Sequence, residues 1–169
     1  MATCVALLRA VNVGGTGKLP MSELKLMCEE AGFESVQTYI ASGNVVFRTA
    51  DSPEKARSVL EKRLEDYAGT KIDALVRTAR EMADLVEANP YPDQPGNRVA
   101  VMFLDRSPPP DIAGSARGID NETFSGAAME VFIHYPDGQG QSKLDFDLGV
   151  ATARNMNTVR RLAEMAAAT

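Results

Sequence analysis

The sequence predicts an α+β fold: two β-α-β-β-α-β halves packed together and followed by a C-terminal helix. Three observations carry this prediction. Two near-continuous apolar runs of strand length, "CVALLRAV" (4–11) and "RVAVMFL" (98–104), read as strands covered on both faces. Up to residue 78 the periodicities run strand, helix, hairpin, helix, strand. A fainter version of that order occupies residues 79–169.

In the first half, a glycine-rich stretch follows the opening strand. Met21, Leu24, Met27, Cys28 and Ala31 then recur at helical spacing, and Gly32 supplies a stop. "SVQTYI" and "NVVFRT" flank a tight "ASGN" connection and predict a hairpin turning near Gly43 and Asn44. Ser52 caps the next helix, Pro53 takes its first position and Gly69 follows its end. Its apolar stripe is Ala56, Val59, Leu60, Leu64 and Tyr67. "KIDALVRT" (71–78) is the closing strand. This is the ferredoxin-like order, complete within residues 1–78.

Thr78 and Glu81 form a capping box that opens a helix through Met82, Leu85 and Val86, which Asn89-Pro90 ends. After loop 90–97 and strand 98–104, the proline-rich "SPPPDIAGSARG" leaves room only for a short helix within 111–117. "DNETFS" and "MEVFIHY" predict a second hairpin, "SKLDFDLG" (142–149) a short helix, and 156–168 the terminal helix. Residues 79–169 thus read as a degenerate second ferredoxin-like half plus that helix, one compact unit with the first. A lone sheet of this kind has helices on one face only, yet strands 4–11 and 98–104 show no polar alternation. The second half or the terminal helix is expected to cover the face left open.

Composition narrows the function classes. The chain has 169 residues, 44% of them hydrophobic, and a net charge of −5. An acidic balance argues against a broad nucleic-acid footprint, which needs clustered Lys and Arg, while leaving room for a local basic pocket. Cys4 and Cys28 lie in apolar surroundings and read as buried free thiols. The N-terminus lacks a basic n-region, and no apolar stretch approaches the roughly 18 residues of a membrane span. The expectation is a cytoplasmic, reduced, soluble protein with no membrane partner.

Two stretches can carry ligand chemistry. "RAVNVGGTGK" (9–18) is not a phosphate-binding P-loop: Asn12 stands where that motif needs glycine, and Leu19 where it needs a hydroxyl. The dinucleotide fingerprint fails at Pro20. What remains is Arg9 at a strand end, the Asn12 amide, glycines, Lys18 and a helix start, an assembly suited to holding an anion. The competing reading is a flexible exit from a strand, with Arg9 paired to a carboxylate. In "TARNMNTVRRL" (152–162), Asn155 or Asn157 is a natural helix cap. Arg154 sits just ahead of that helix, either as a wall of the same anion site or turned to solvent or to Asp145 or Asp147.

Elsewhere Ser142 fits a capping pattern with Asp145, and Lys143 is open to either role. Glu29-Glu30 and Asp145/Asp147 are placed on exposed helical faces. His134 has no Cys, His or Asp cluster at ligand spacing, so no metal site is expected. No hydrolase triad or metalloprotease motif occurs, and no cofactor is implied.

The chain resembles, over nearly its whole length, the bacterial family known as domain of unknown function 1697. "ALLRAVNVGG" is similar to the family's leading A-L-L-R-G-I-N-V-G-G, with Ala10 for glycine and Val11 for isoleucine. "KLPMSEL" follows as in relatives, and "TYIASGNVVF" resembles Y-I-Q-S-G-N-V-V-F with Ala41 for glutamine. "NPY" (89–91), "SKL" and "ATARNMNTV" complete the likeness, the last with Met156 where a tryptophan is usual. The resemblance implies two ferredoxin-like halves and no established reaction. The matched polar positions are Arg9, Asn12, Lys18, Ser42, Asn44, Ser142, Lys143, Thr152, Arg154 and Asn155.

These readings converge on one expectation: a small anionic, phosphorylated molecule bound in a cleft between the halves, with or without catalysis. Arg9, Lys18, Lys143 and Arg154 would supply charge, and Asn12, Ser42, Asn44 and Asn155 directional hydrogen bonds. The alternative is a non-catalytic module binding protein or RNA on a sheet face, using Tyr39 and Phe47.

Overall fold

β1 (Ala2–Leu8), α1 (Met21–Glu30), β2 (Glu34–Thr38), β3 (Asn44–Thr49), α2 (Pro53–Ala68) and β4 (Ala74–Thr78) follow one another in the order the periodicities predict. The structure, a computed structural model, describes residues 1–12 and 18–169; the glycines predicted to line an anion seat fall in 13–17, outside the described residues. The chain divides into two units, Met1–Asp84 with Arg161–Thr169, and Leu85–Arg160.

In the first unit the four strands make one antiparallel sheet in the order β2-β3-β1-β4. Cys4, Ala6 and Leu8 point to one face, as alternation along a strand requires, and meet Leu24 and Cys28 of α1 and Leu60 and Leu64 of α2. Each of these leucines is fully buried, which stabilises the fold by roughly 1.5–3 kcal/mol per side chain. The α2 punctuation is as predicted. Ser52 Oγ accepts the Lys55 N–H at 3.2 Å, Pro53 opens the helix, and Gly69 ends it at φ 74. Tyr67 departs from the predicted stripe: in the last turn of α2 it is exposed.

The opposite face of β1, with Val5 and Leu7, is fully buried too, so this run is covered on both sides as its lack of alternation predicts. Thr3 and Gln37 lie on that face. Thr3 Oγ1 donates to the Thr169 carbonyl at 3.4 Å and Gln37 Nε2 to Thr169 Oγ1 at 3.2 Å, which fixes the C-terminus there.

The predicted capping box opens α3 (Ala79–Ala88): Glu81 Oε1 accepts the Thr78 N–H and Thr78 Oγ1 accepts the Glu81 N–H. The second unit then has β5 (Val99–Leu104), β6 (Ala116–Arg117), β7 (Thr123–Gly126), β8 (Glu130–His134), β9 (Asp145–Phe146) and β10 (Ala151–Asn155), leading into α4 (Met156–Ala167). Its main antiparallel sheet has the order β10-β5-β8-β7. Counting main-sheet strands within each unit, both sheets run second, third, first, fourth.

The helix predicted over 142–149 does not form. A 3-10 turn at Gln139–Gln141 precedes extended backbone at Ser142, and β9 pairs with β6 as a two-stranded ribbon. Leu144, Phe146 and Leu148 alternate with exposed Lys143, Asp145 and Asp147, a period of two that belongs to strands. Ile112, Leu144, Phe146 and Leu148 pack on Ala100, Leu104, Val131 and Ile133, so the ribbon covers the sheet where the first unit uses helices. The Asp145/Asp147 pair is therefore on extended backbone and not on a helical face. The proline-rich segment holds only a 3-10 turn at Ala113–Ser115.

Met156, Val159, Leu162, Met165 and Ala166 form the buried stripe of α4. Both cysteines are buried and free. Burial pushes the Cys4 thiol up, and lifts that of Cys28 to about 12. Among the described residues no helix is long and apolar enough to cross a membrane, and no cluster of His, Cys, Asp and Glu can hold a metal.

Candidate functional site

At the C-terminal end of β1 the backbone turns twice through the left-handed region, at Ala10 and Asn12, both with φ 55. Asparagine tolerates this region because its short side chain can bond locally. Here it bonds three times. Asn12 Oδ1 accepts the Leu19 N–H at 2.7 Å, and Nδ2 donates to the carbonyls of Leu19 and Ala41, each at 2.8 Å. The residues on either side of 13–17 are thereby tied to each other and to the β2–β3 turn.

That turn is built to receive them. Gly43, at φ 91, donates no side chain to the contact: a Cβ there would stand 2.6 Å from Val11 Cγ2 and 2.9 Å from Leu8 Cβ. Its carbonyl accepts the Leu8 N–H at 2.8 Å. The fully buried Asn44 donates Nδ2 to the Tyr39 carbonyl at 2.9 Å and to Ser42 Oγ at 3.0 Å. Two of the segments singled out in the sequence, 9–12 with 18–19 and 41–44, thus meet at one rim of the first unit. Their amides frame it.

The charge at this rim comes from Arg9 and Lys18. Lys18 is exposed and leads directly into the braced Leu19. The Arg9 side chain is 45% exposed, and its Nη1 stands 3.5 Å from Asp73 Oδ2, a long contact for a charge-assisted bond. Asp73 is shared: Lys71 Nζ approaches its other oxygen at 3.6 Å, beyond hydrogen-bond reach, and that oxygen is sealed from solvent without a hydrogen bond. Two cations therefore share the one carboxylate of Asp73. Sequence reasoning anticipated a carboxylate for Arg9 but did not identify Asp73, which faces Arg9 only because β4 pairs antiparallel with β1.

The remaining predicted residues lie in the second unit. Asn155 is the helix cap, with Oδ1 accepting the Thr158 N–H at 2.9 Å. Arg154, in the buried interior at 8% exposure, donates Nη1 to Thr152 Oγ1 at 2.7 Å and to the Ala153 carbonyl at 3.0 Å. Burial pulls its guanidinium down to about 10, still charged at neutral pH. Lys143 is exposed on the wall of a separate cleft. Ser142 caps no helix: it donates to Glu122 Oε2 at 2.6 Å and accepts the Leu144 N–H at 3.1 Å. Phe47, offered as a base-stacking residue, is fully buried against Phe33 with ring centroids 4.3 Å apart.

Comparison with protein families matches residues 1–132 to a model described as "Protein of unknown function (DUF1697)". Among solved structures the chain is similar to a conserved bacterial protein, SP0830, from Streptococcus pneumoniae, with 22% identity, 98% of each chain covered and a TM-score of 0.73. At that identity the likeness shows the fold alone. A comparison with curated proteins finds no match.

Proposed function

The chain belongs to the DUF1697 family, and we propose that it binds a small anionic molecule of the phosphorylated class at the rim where Arg9 and Lys18 flank the Asn12–Leu19 brace. The observation that carries this reading is a division of labour. The amides of Asn12 and Asn44 and the Ser42 hydroxyl hold the frame, whereas Arg9 keeps a half-exposed guanidinium on a long contact. An incoming phosphate offers that guanidinium a bidentate partner in place of a weak one. Asp73, balanced by both Arg9 and Lys71, tethers the arginine without neutralising the rim.

The equal strand orders of the two sheets support reading both units as ferredoxin-like, the second with a ribbon in place of helices. Burial of Phe47 favours anion binding over RNA stacking, since it removes one of the two aromatics that reading requires. No reaction is assigned.

Thermal-shift titration with inorganic phosphate and a panel of phosphorylated metabolites, at constant ionic strength, tests the proposal. A saturable rise in Tm is expected for the wild-type chain, because a ligand that binds only the folded state stabilises it. The rise should disappear in Arg9→Gln and weaken in Lys18→Gln. An unsaturable rise of equal size in all three proteins would mark a general salt effect and refute the site.

A further inference from the structure

In the second unit a cleft of about 420 Å3 opens between three short segments: residues 118–122, the exit of β8 at 135–138, and residues 141–143. Its walls are cross-linked. Glu122 accepts the Ser142 hydroxyl at 2.6 Å, joining the first segment to the third. Asn121 Nδ2 donates to Asp137 Oδ2 at 2.7 Å, joining the first to the second. Gly118, at φ 73, lies so close to the Lys143 carbonyl that a Cβ would stand 2.2 Å from its oxygen. A cavity fixed by such ties needs little ordering when a ligand enters.

The cleft's electrostatics are the reverse of the Arg9 rim. Asp120, Glu122 and Asp137 face it against the single ammonium of Lys143. None of the three carboxylates has a Lys or Arg nitrogen within ion-pair distance among the described residues. Glu122 is itself buried, and its ionised form is held by the Ser142 hydroxyl and by the Asp120 N–H at 2.7 Å. A carboxylate offers about four lone-pair sites, so these bonds hold it without exhausting it.

A second group points independently to a ligand. Tyr135 is 6% exposed, with its ring packed in the core beside Leu148 and Ile133. Its hydroxyl has no hydrogen-bond partner among the described residues, yet it is not among the atoms sealed from solvent. The side chain's remaining exposure is at the cleft wall it lines. A tyrosine whose ring is buried usually finds a hydrogen-bond partner for its hydroxyl. This one is left for whatever occupies the cleft.

The chemistry of that occupant follows from the arrangement. The acidic side chains do not converge as a metal-binding group, so they do not form a chelate for a divalent ion. Spread along the walls, they suit positive groups separated on one molecule. Ile119, 47% exposed on the same wall, offers apolar surface for a connecting hydrocarbon. We propose that this cleft binds a small organic cation, a diamine or amino compound, whose ammonium groups are taken by Glu122 and Asp137 and whose neutral polar group meets the Tyr135 hydroxyl.

Calorimetric titration of the whole chain with putrescine, alongside butylamine and magnesium as probes, tests this. Saturable binding of putrescine is expected, with butylamine weaker and magnesium unable to compete. Glu122→Gln should weaken binding by about tenfold or more, in line with loss of a charge-assisted contact. Asp137→Asn, at an exposed position, should weaken it comparably while leaving the melting temperature unchanged, which keeps the test valid if the Glu122 variant folds poorly. Tyr135→Phe should lower affinity for hydroxylated amines more than for putrescine. Absence of saturable amine binding, undiminished binding in Asp137→Asn, or displacement by magnesium would each overturn the proposal. Arg9→Gln should leave amine binding intact, so this site and the anion rim stand or fall separately.

Discussion

Asn12 and Leu19 form a closed two-bond ring: the side-chain oxygen of Asn12 accepts the Leu19 N–H at 2.7 Å while its nitrogen donates back to the Leu19 carbonyl at 2.8 Å. The asparagine side chain acts here as a short piece of β-ladder between residues 12 and 19. Replacing it with alanine removes three bonds and leaves the Leu19 and Ala41 groups to find water. Asn12→Ala is expected to lower unfolding free energy by about 2–4 kcal/mol, measured by urea denaturation. Asn12→Asp keeps the acceptor but sets its second oxygen against the Leu19 and Ala41 carbonyls, and should be no more stable than the alanine variant.

Two neighbouring positions test the backbone of the same rim. Ala10 holds a left-handed φ of 55, where an L-residue is disfavoured by roughly 1–2 kcal/mol. The resemblance to relatives that carry glycine there has a physical cause. Ala10→Gly is expected to raise stability by up to about 1 kcal/mol, net of the extra freedom glycine gives the unfolded chain. Gly43→Ala should do the opposite, losing more than about 2 kcal/mol through its positive φ and its collision with Val11 and Leu8. Paired denaturation curves decide both signs.

Asn155 separates a structural role from a binding role. As the cap of α4 it satisfies the Thr158 N–H. Asn155→Ala should cost about 1 kcal/mol of stability, and Asn155→Ser should recover most of it. Neither should change the thermal response to phosphate. A variant that keeps its Tm but loses that response would give Asn155 a ligand contact instead.

The acid limb of stability should report on Glu122. Its carboxyl is held below the ordinary glutamate range, chiefly by the Ser142 hydroxyl and then by the backbone N–H groups of Asp120 and its own residue. A group whose folded value is lower than its unfolded one contributes fully above the unfolded value. That contribution disappears as pH falls through the folded value. Glu122→Gln should therefore flatten the fall of Tm with acid below the ordinary glutamate range, and Ser142→Ala should flatten it in part. Asp145, lowered in the same direction by Arg117, provides a residual acid dependence in both variants.

Much of this architecture is legible where local chemistry decides the outcome. The Ser52-Pro53 start and Gly69 stop of α2, the Thr78–Glu81 box and the turn at Gly43 are each fixed by residues a few positions apart. The reading fails at 142–149 because Ser142 followed by Asp145 mimics a cap, while the inward Leu144, Phe146 and Leu148 announce a strand by their spacing. At the first rim, the sequence marks segments that the fold brings together but not what each side chain bonds there. Asn12 and Asn155 bond main-chain groups, and Asn44 bonds the Tyr39 carbonyl and the Ser42 hydroxyl, pairings with no signature in the sequence. The acidic cleft escapes notice for a related reason. Asp120, Glu122, Tyr135 and Asp137 are spread along loops and strand ends, and only the fold gathers them.

The central claim is that an anion is recognised by Arg9 and Lys18 on a frame held by Asn12. Amide NMR spectra recorded during a phosphate titration at fixed ionic strength address it most directly. Saturable shifts are predicted at Arg9, Ala10, Asn12, Lys18, Leu19 and Ser42, and their loss in Arg9→Gln. Saturable shifts confined to other residues, or shifts at these positions that persist in Arg9→Gln, would contradict it.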